Sequence, residues 1–92
     1  MAFKYDEDKI LDEVRAYIES TYNQHYVNEE NNTQLIDIVS NYELFAFAKV
    51  SALKYIDRYG KKEGANRKDL LKAIHYIVMM MRIDTINKGG QL

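Results

Sequence analysis

Between residues 7 and 22 apolar side chains return every three or four positions: Ile10, Val14, Tyr17 with Ile18, then Thr21 with Tyr22. That period predicts an amphipathic helix. Asp6, Glu7 and Asp8 stand at its start, where the positive end of the helix dipole favours acids. Residues 23–32 lose the pattern, are polar and asparagine-rich, and read as a loop. Asn32 or Thr33 is placed to cap a second, short helix carrying Leu35, Ile36, Val39 and Tyr42.

A third helix is predicted from Glu43 to Tyr59, with Phe45, Ala48, Ala52, Tyr55, Ile56 and Tyr59 on one stripe. Its alanines would let a neighbouring helix come close. Gly60 is a natural left-handed stop, and the short segment 60–64 turns the chain. Asn66 opens a fourth helix, with Asp69 three residues on in a capping-box arrangement that has aspartate in place of glutamate. Its stripe runs Leu70, Ile74, Ile77, Val78 and Met81, and Gly89-Gly90 end it. The predicted architecture is all-α: a small four-helix bundle-like domain spanning residues 1–92.

The later part of the fourth helix is apolar on all sides, through Ile77, Val78, Met79, Met80, Met81 and Ile83. A helix apolar all round is buried all round, which in a 92-residue chain points to a partner copy. A homo-oligomer is therefore expected. A methionine-padded core in a monomer is the plainer reading of the same residues.

Composition narrows the class. The chain has no proline and four glycines, so little interrupts helices. It has no cysteine, which removes disulfides, thiolate metal sites and a cysteine nucleophile. With 47% hydrophobic residues, 29% charged residues and a mean hydropathy of -0.47, a buried core and a water-facing surface are both expected. No apolar run approaches the ~20 residues of a membrane span. The first residues lack a signal-peptide layout, so a cytoplasmic protein is expected.

The formal net charge of -1 conceals an asymmetry. Residues 1–48 hold three Lys and Arg against ten Asp and Glu, whereas residues 49–72 hold eight against three. Such a basic block either answers the acidic half or gathers phosphates. Overall acidity argues against a protein that coats duplex DNA. Catalytic signatures are lacking: there is neither a phosphate loop nor a Gly-x-Gly-x-x-Gly fingerprint. Nor do His25 and His75 have a partner histidine at helical spacing. No metal and no cofactor are expected.

The dense segment 54–76 carries what chemistry there is. Ser51, Lys54 and Arg58 share a face of the third helix, and Lys68, Lys72 and His75 share a face of the fourth. A turn of about six residues allows the two faces to meet. Lysines and an arginine converging beside Tyr55 or Tyr76 would hold a phosphate and stack a base. The alternative is the solvated side of a helical hairpin. Asp69 either caps its helix, the favoured reading, or orients Lys72 or Arg58.

The string Lys54-Tyr55-Ile56-Asp57-Arg58-Tyr59-Gly60-Lys61-Lys62, followed by Asp69-Leu70-Leu71-Lys72-Ala73-Ile74-His75-Tyr76-Ile77, resembles the small phage proteins called SaV-like or phage nucleotide kinase-like. His25-Tyr26 stands where that family has a His-Tyr pair. The resemblance covers roughly residues 25–78. It implies a helical, oligomeric phage protein in a bacterial host cytoplasm, with Lys54, Tyr55, Arg58, Lys61, Lys72, Tyr76 and His25 as ligand-binding residues. The chain departs from the pattern at Val50-Ser51, where the family has Gly-Asn, and at Lys68, where it has an acid. These departures favour binding over magnesium-dependent transfer. The function expected is sequestration of a phosphorylated nucleotide, such as a signalling nucleotide of host defence. The alternatives are a nucleoside monophosphate kinase and a protein–protein inhibitor of a host factor.

Overall fold

The structure, a computed structural model, describes residues 3–25 and 39–90. All regular structure among them is helical: α1 (Glu7–His25), α2 (Asn41–Arg58) and α3 (Arg67–Asn87). The chain divides into two compact units, Met1–Asn32 and Thr33–Leu92. No helix among the described residues is long and apolar enough to cross a membrane.

In the first unit, α1 starts as expected and runs on to His25, further than the pattern indicated. Asp6 takes a left-handed backbone (φ 59°), which its short polar side chain tolerates, and its carbonyl accepts the Ile10 N–H at 2.9 Å. Glu7 accepts the Tyr5 N–H at 2.8 Å and so fixes the entry. Late in the helix, Ser20 and Thr21 hydroxyls donate back to the carbonyls of Tyr17 and Ile18. Hydroxyls satisfied in this way are compatible with a helix that carries them inside it. Val14 is buried, Tyr17 and Ile18 half-buried, and Leu11 exposed.

The second unit is an antiparallel helical hairpin, and the described residues form three helices where four were expected of the whole chain. Leu35 and Ile36, expected on a short second helix with a cap at Asn32 or Thr33, lie outside the described residues. Tyr42 belongs to α2. The reason is Ser40, whose hydroxyl accepts the Glu43 N–H at 3.1 Å while Glu43 accepts the Ser40 N–H at 3.1 Å. This reciprocal capping box satisfies two helix-end donors and moves the start of α2 ahead of Glu43. The Ser40 hydroxyl also donates to Glu43 Oε1 at 2.8 Å, and this bond, followed by that from the Ser40 N–H, holds the Glu43 carboxyl below its ordinary pKa.

Gly60 (φ 84°) and Gly64 (φ 66°) turn the chain between the helices, joined by a Gly60 N–H to Gly64 O bond of 2.8 Å. A Cβ at either would meet nothing nearby, so the requirement is backbone conformation rather than space. Asn66 caps α3 as expected, its side chain accepting the Lys68 N–H at 3.0 Å. Beyond the other end, Gly89 (φ 78°) closes the helix.

The seam between α2 and α3 is built from small side chains. Ala48, Ser51 and Ala52 of α2 face Ala73 of α3, and all four are buried. Along α3 the buried residues Asp69, Ala73 and Ile83 recur on one face, with half-buried Tyr76 and Met80 between them at the same spacing. Ile77, Val78 and Met81, expected on the core stripe, are instead exposed. The pattern of large apolar residues therefore marked the flank of α3 rather than its seam. Alanines carry less hydrophobic weight but allow the backbones to approach, and close approach decides which face packs.

Candidate cation–aromatic face of the helical hairpin

Because α2 and α3 run antiparallel, residues ascending on one meet residues descending on the other in successive rungs. The first rung pairs Ser51 with Tyr76, whose phenol is hydrogen-bonded to the serine side chain. The second brings Tyr55 against Tyr76 and Lys72. The third joins Arg58 to Asp69.

In the second rung the Tyr55 and Tyr76 rings lie almost parallel (9°) with centroids 6.0 Å apart, and Phe47 meets Tyr76 edge-on at 5.7 Å. Lys54 Nζ stands 4.9 Å from the Tyr55 ring centre and Lys72 Nζ 5.0 Å. Both lie within the range at which a ring quadrupole attracts a cation. Neither ammonium has a carboxylate within ion-pair distance among the described residues. Two cations from different helices thus meet one aromatic ring with no counter-charge among the described residues. Burial, and secondarily the neighbouring Tyr55 phenol, push the Tyr76 pKa above its ordinary value, while the bond with Ser51 acts the other way. Tyr76 therefore stays a neutral phenol. Burial likewise holds the His75 imidazole below its ordinary pKa.

The third rung has the opposite character. Arg58 reaches Glu63 (Nη2 to Oε1, 3.3 Å) and Asp69 (Nε to Oδ1, 3.6 Å). The Asp69 side chain is only 3% exposed, so Arg58 meets the charge of a carboxylate that water scarcely reaches. The contact is under-satisfied, since Arg58 Nε and Asp69 Oδ2 are buried without a hydrogen-bond partner. Asp69 does not close the capping box expected of it, because the N-cap N–H of Asn66 goes to the Gly64 carbonyl at 2.9 Å. Its role is to hold Arg58.

Of the sequence-predicted site residues, Lys54, Tyr55, Lys72 and Tyr76 come together. Arg58 lies one turn beyond Lys54 and is neutralised within the chain. Lys61 is exposed in the turn and paired with Asp57 at 2.8 Å. His25 closes α1, in the other unit. Sequence reasoning placed Ser51 on the face of Lys54 and Arg58 without giving it a role, and missed Glu63. The signal for Ser51 was its position four residues before Tyr55 on the same helix, whereas Glu63 in a glycine-bracketed turn gave no periodic signal.

The charge of the two units is opposite. Residues 1–32 carry three basic against eight acidic side chains, and residues 33–92 carry ten against six. A groove of about 610 Å³ at the far end of the hairpin, between Phe45 and Asp84, lies among residues distinct from this face. Among the described residues no group of three His, Asp or Glu is placed to hold a metal ion.

No curated protein and no solved structure matches the chain. A model of the family described as "Protein of unknown function (DUF3310)" matches residues 18–78, about two thirds of the sequence and a span that takes in both strings of the basic hairpin. The chain therefore belongs to the DUF3310 family.

Proposed function

We propose that the hairpin binds a phosphorylated nucleotide and sequesters it, as a small phage-type protein that withdraws a signalling nucleotide from host defence would do. The observation that carries the reading is the convergence of the Lys54 and Lys72 ammoniums, without counter-ions among the described residues, on the stacked Tyr55–Tyr76 pair. Ammoniums held over a ring by cation–π attraction alone are available to a phosphate, whose full charge attracts them more strongly than a ring quadrupole. When they swing to the phosphate they uncover aromatic surface on which a base can stack, a contact worth about 1–3 kcal/mol per base. Excess positive charge in this unit draws anions toward it.

Self-association belongs to the same proposal. Ile77, Val78 and Met81 on the α3 flank stay exposed, and burying them in a homo-oligomer would repeat the site by symmetry. Light scattering of the purified chain across a concentration series reads this part directly.

Calorimetric titration with AMP, ADP, ATP and cyclic dinucleotides, followed by chromatography of each mixture, tests the binding reading. Saturable heat with the nucleotide recovered intact is the expected result, and its loss in Lys54→Ala and Lys72→Ala assigns the site. A new phosphorylated product would replace sequestration with a nucleoside monophosphate kinase. Absence of heat with every nucleotide would overturn the reading in favour of a protein partner.

A further inference from the structure

We infer that Glu63 is an internal competitor for Arg58, and that the ligand displacing it carries a second phosphoryl group adjoining the one held by Lys54 and Lys72. The inference rests on the nucleotide-binding reading and names the chemical class that the site prefers.

The argument begins with the two rungs. Lys54 and Arg58 are four residues apart on α2, which places them about 6 Å apart on one face. Lys72 and Asp69 are three apart on α3 and stand opposite them. A phosphate between Lys54 and Lys72 therefore has Arg58 as its next neighbour along the hairpin. A single phosphoryl group engages the lysines, and a chain of two reaches the guanidinium.

Arg58 is not idle, however. Its side chain is 24% exposed and shared between two carboxylates of different standing. Asp69 is 3% exposed and cannot leave without unfolding the seam. Glu63 is 54% exposed, sits in the turn between Gly60 and Gly64, and holds the outer Nη2 edge. Its other oxygen accepts from Asn66 Nδ2 at 3.0 Å, so the turn presents it to Arg58 in a fixed position. The inner edge of the guanidinium is anchored and the outer edge is covered by an exchangeable anion. A second phosphoryl group is a better partner for that outer edge than a carboxylate, since it brings more charge and three acceptor oxygens. Exposed ion pairs of this kind contribute little, so exchange is readily reversible.

The test compares wild type with Glu63→Gln, which removes the charge while retaining an acceptor for Asn66. The probes are AMP, ADP and inorganic pyrophosphate, titrated calorimetrically at low salt. Affinity for ADP and pyrophosphate is expected to rise about threefold in Glu63→Gln, within the range an exposed pair allows, and affinity for AMP to stay the same. Asp57→Asn removes an equal charge from the same end of the hairpin, but one paired with Lys61. It is expected to leave all three affinities close to wild type. Placing Arg58→Lys in the Glu63→Gln background should abolish the gain, because lysine lacks the two-edged guanidinium.

An equal gain for AMP and ADP, an equal gain in Asp57→Asn, or no gain at all would overturn the competitor while leaving nucleotide binding in place. Binding by Glu63→Gln alone would support it, as a competitor strong enough to close the wild-type site. Failure of both proteins to bind any probe would overturn the competitor together with the binding reading.

Discussion

Lys54 and Lys72 on one rung of the hairpin, and Arg58 on the next, are cations of the same sign one helical turn apart, yet the chain treats them differently. Arg58 faces Asp69 and Glu63, whereas among the described residues the lysines face rings and no carboxylate. The difference separates holding the helices in register from meeting something outside the chain. Charge on the first kind of cation is met within the chain, by buried Asp69 on its inner edge and exposed Glu63 on its outer one. On the second kind it remains available. Residue type alone does not distinguish them, because each is a basic residue of the same hairpin, on α2 or α3.

The largest effect that would break this contrast is on stability. Arg58→Ala removes the counter-charge of Asp69 and leaves a buried carboxylate unpaired, which costs about 3 kcal/mol or more. In a chain of this size that lowers Tm by more than about 10 °C, read by thermal denaturation. Replacing the pair together, as Arg58→Met with Asp69→Leu, should restore most of the loss, since a well-packed apolar pair avoids the desolvation penalty. A double variant as unstable as the single one would mean that Arg58 acts through something other than Asp69.

Lys54→Ala combined with Lys72→Ala should act in the opposite sense on the two readouts. Nucleotide binding is lost, while stability changes by no more than about 1 kcal/mol, because cation–π contacts of this exposure are individually small. If stability falls as far as in Arg58→Ala, the lysines belong to the same structural class and the contrast fails. Tyr55→Leu should come next, losing the stacked and cation–π contacts at about 1 kcal/mol, measured by urea denaturation.

A pH effect sharpens the comparison further. Burial depresses the His75 pKa below 6.5, so the unfolded chain takes up this proton more readily than the folded one. The stability that neutral His75 provides is complete above pH 6.5 and falls as pH drops through that value toward the folded pKa. Denaturation midpoints at pH 7.5 and 5.5 should therefore differ, and the difference should shrink in His75→Gln. Glu43 does not obscure the interval, since its pKa is lowered from 4.5 and its stabilisation is lost only below that value. Smallest of all, Lys61→Ala should change stability by under about 0.5 kcal/mol, because both members of its pair with Asp57 are largely exposed.

Much of the local structure could be read directly. Asn66 before a periodic run announced the start of α3, and Gly60 and Gly89 in left-handed conformations stand where the stops were expected. The start of α2 was legible too, in Ser40-Asn-Tyr-Glu43, but apolar periodicity drew attention to Tyr42 as part of a separate helix. At the site, lysine and tyrosine spacing indicated which residues share a face. It left open whether Asp69 caps its helix or meets Arg58, and favoured the cap, because that choice depends on what the opposite helix presents at the same rung.

The sequence by itself determined that this chain is helical, where α1 and α3 begin, which glycines turn it, and that its basic residues concentrate on one hairpin. Those properties are local: they follow from backbone propensity, capping side chains and charge order within a few residues. Only the tertiary structure decided that Ala73 and Ile83, and not Ile77, Val78 and Met81, lie on the buried face of α3, and which cations are spent on carboxylates. Both outcomes depend on the register of two antiparallel helices, set by how closely their small residues let the backbones approach, and no single helix encodes that register alone.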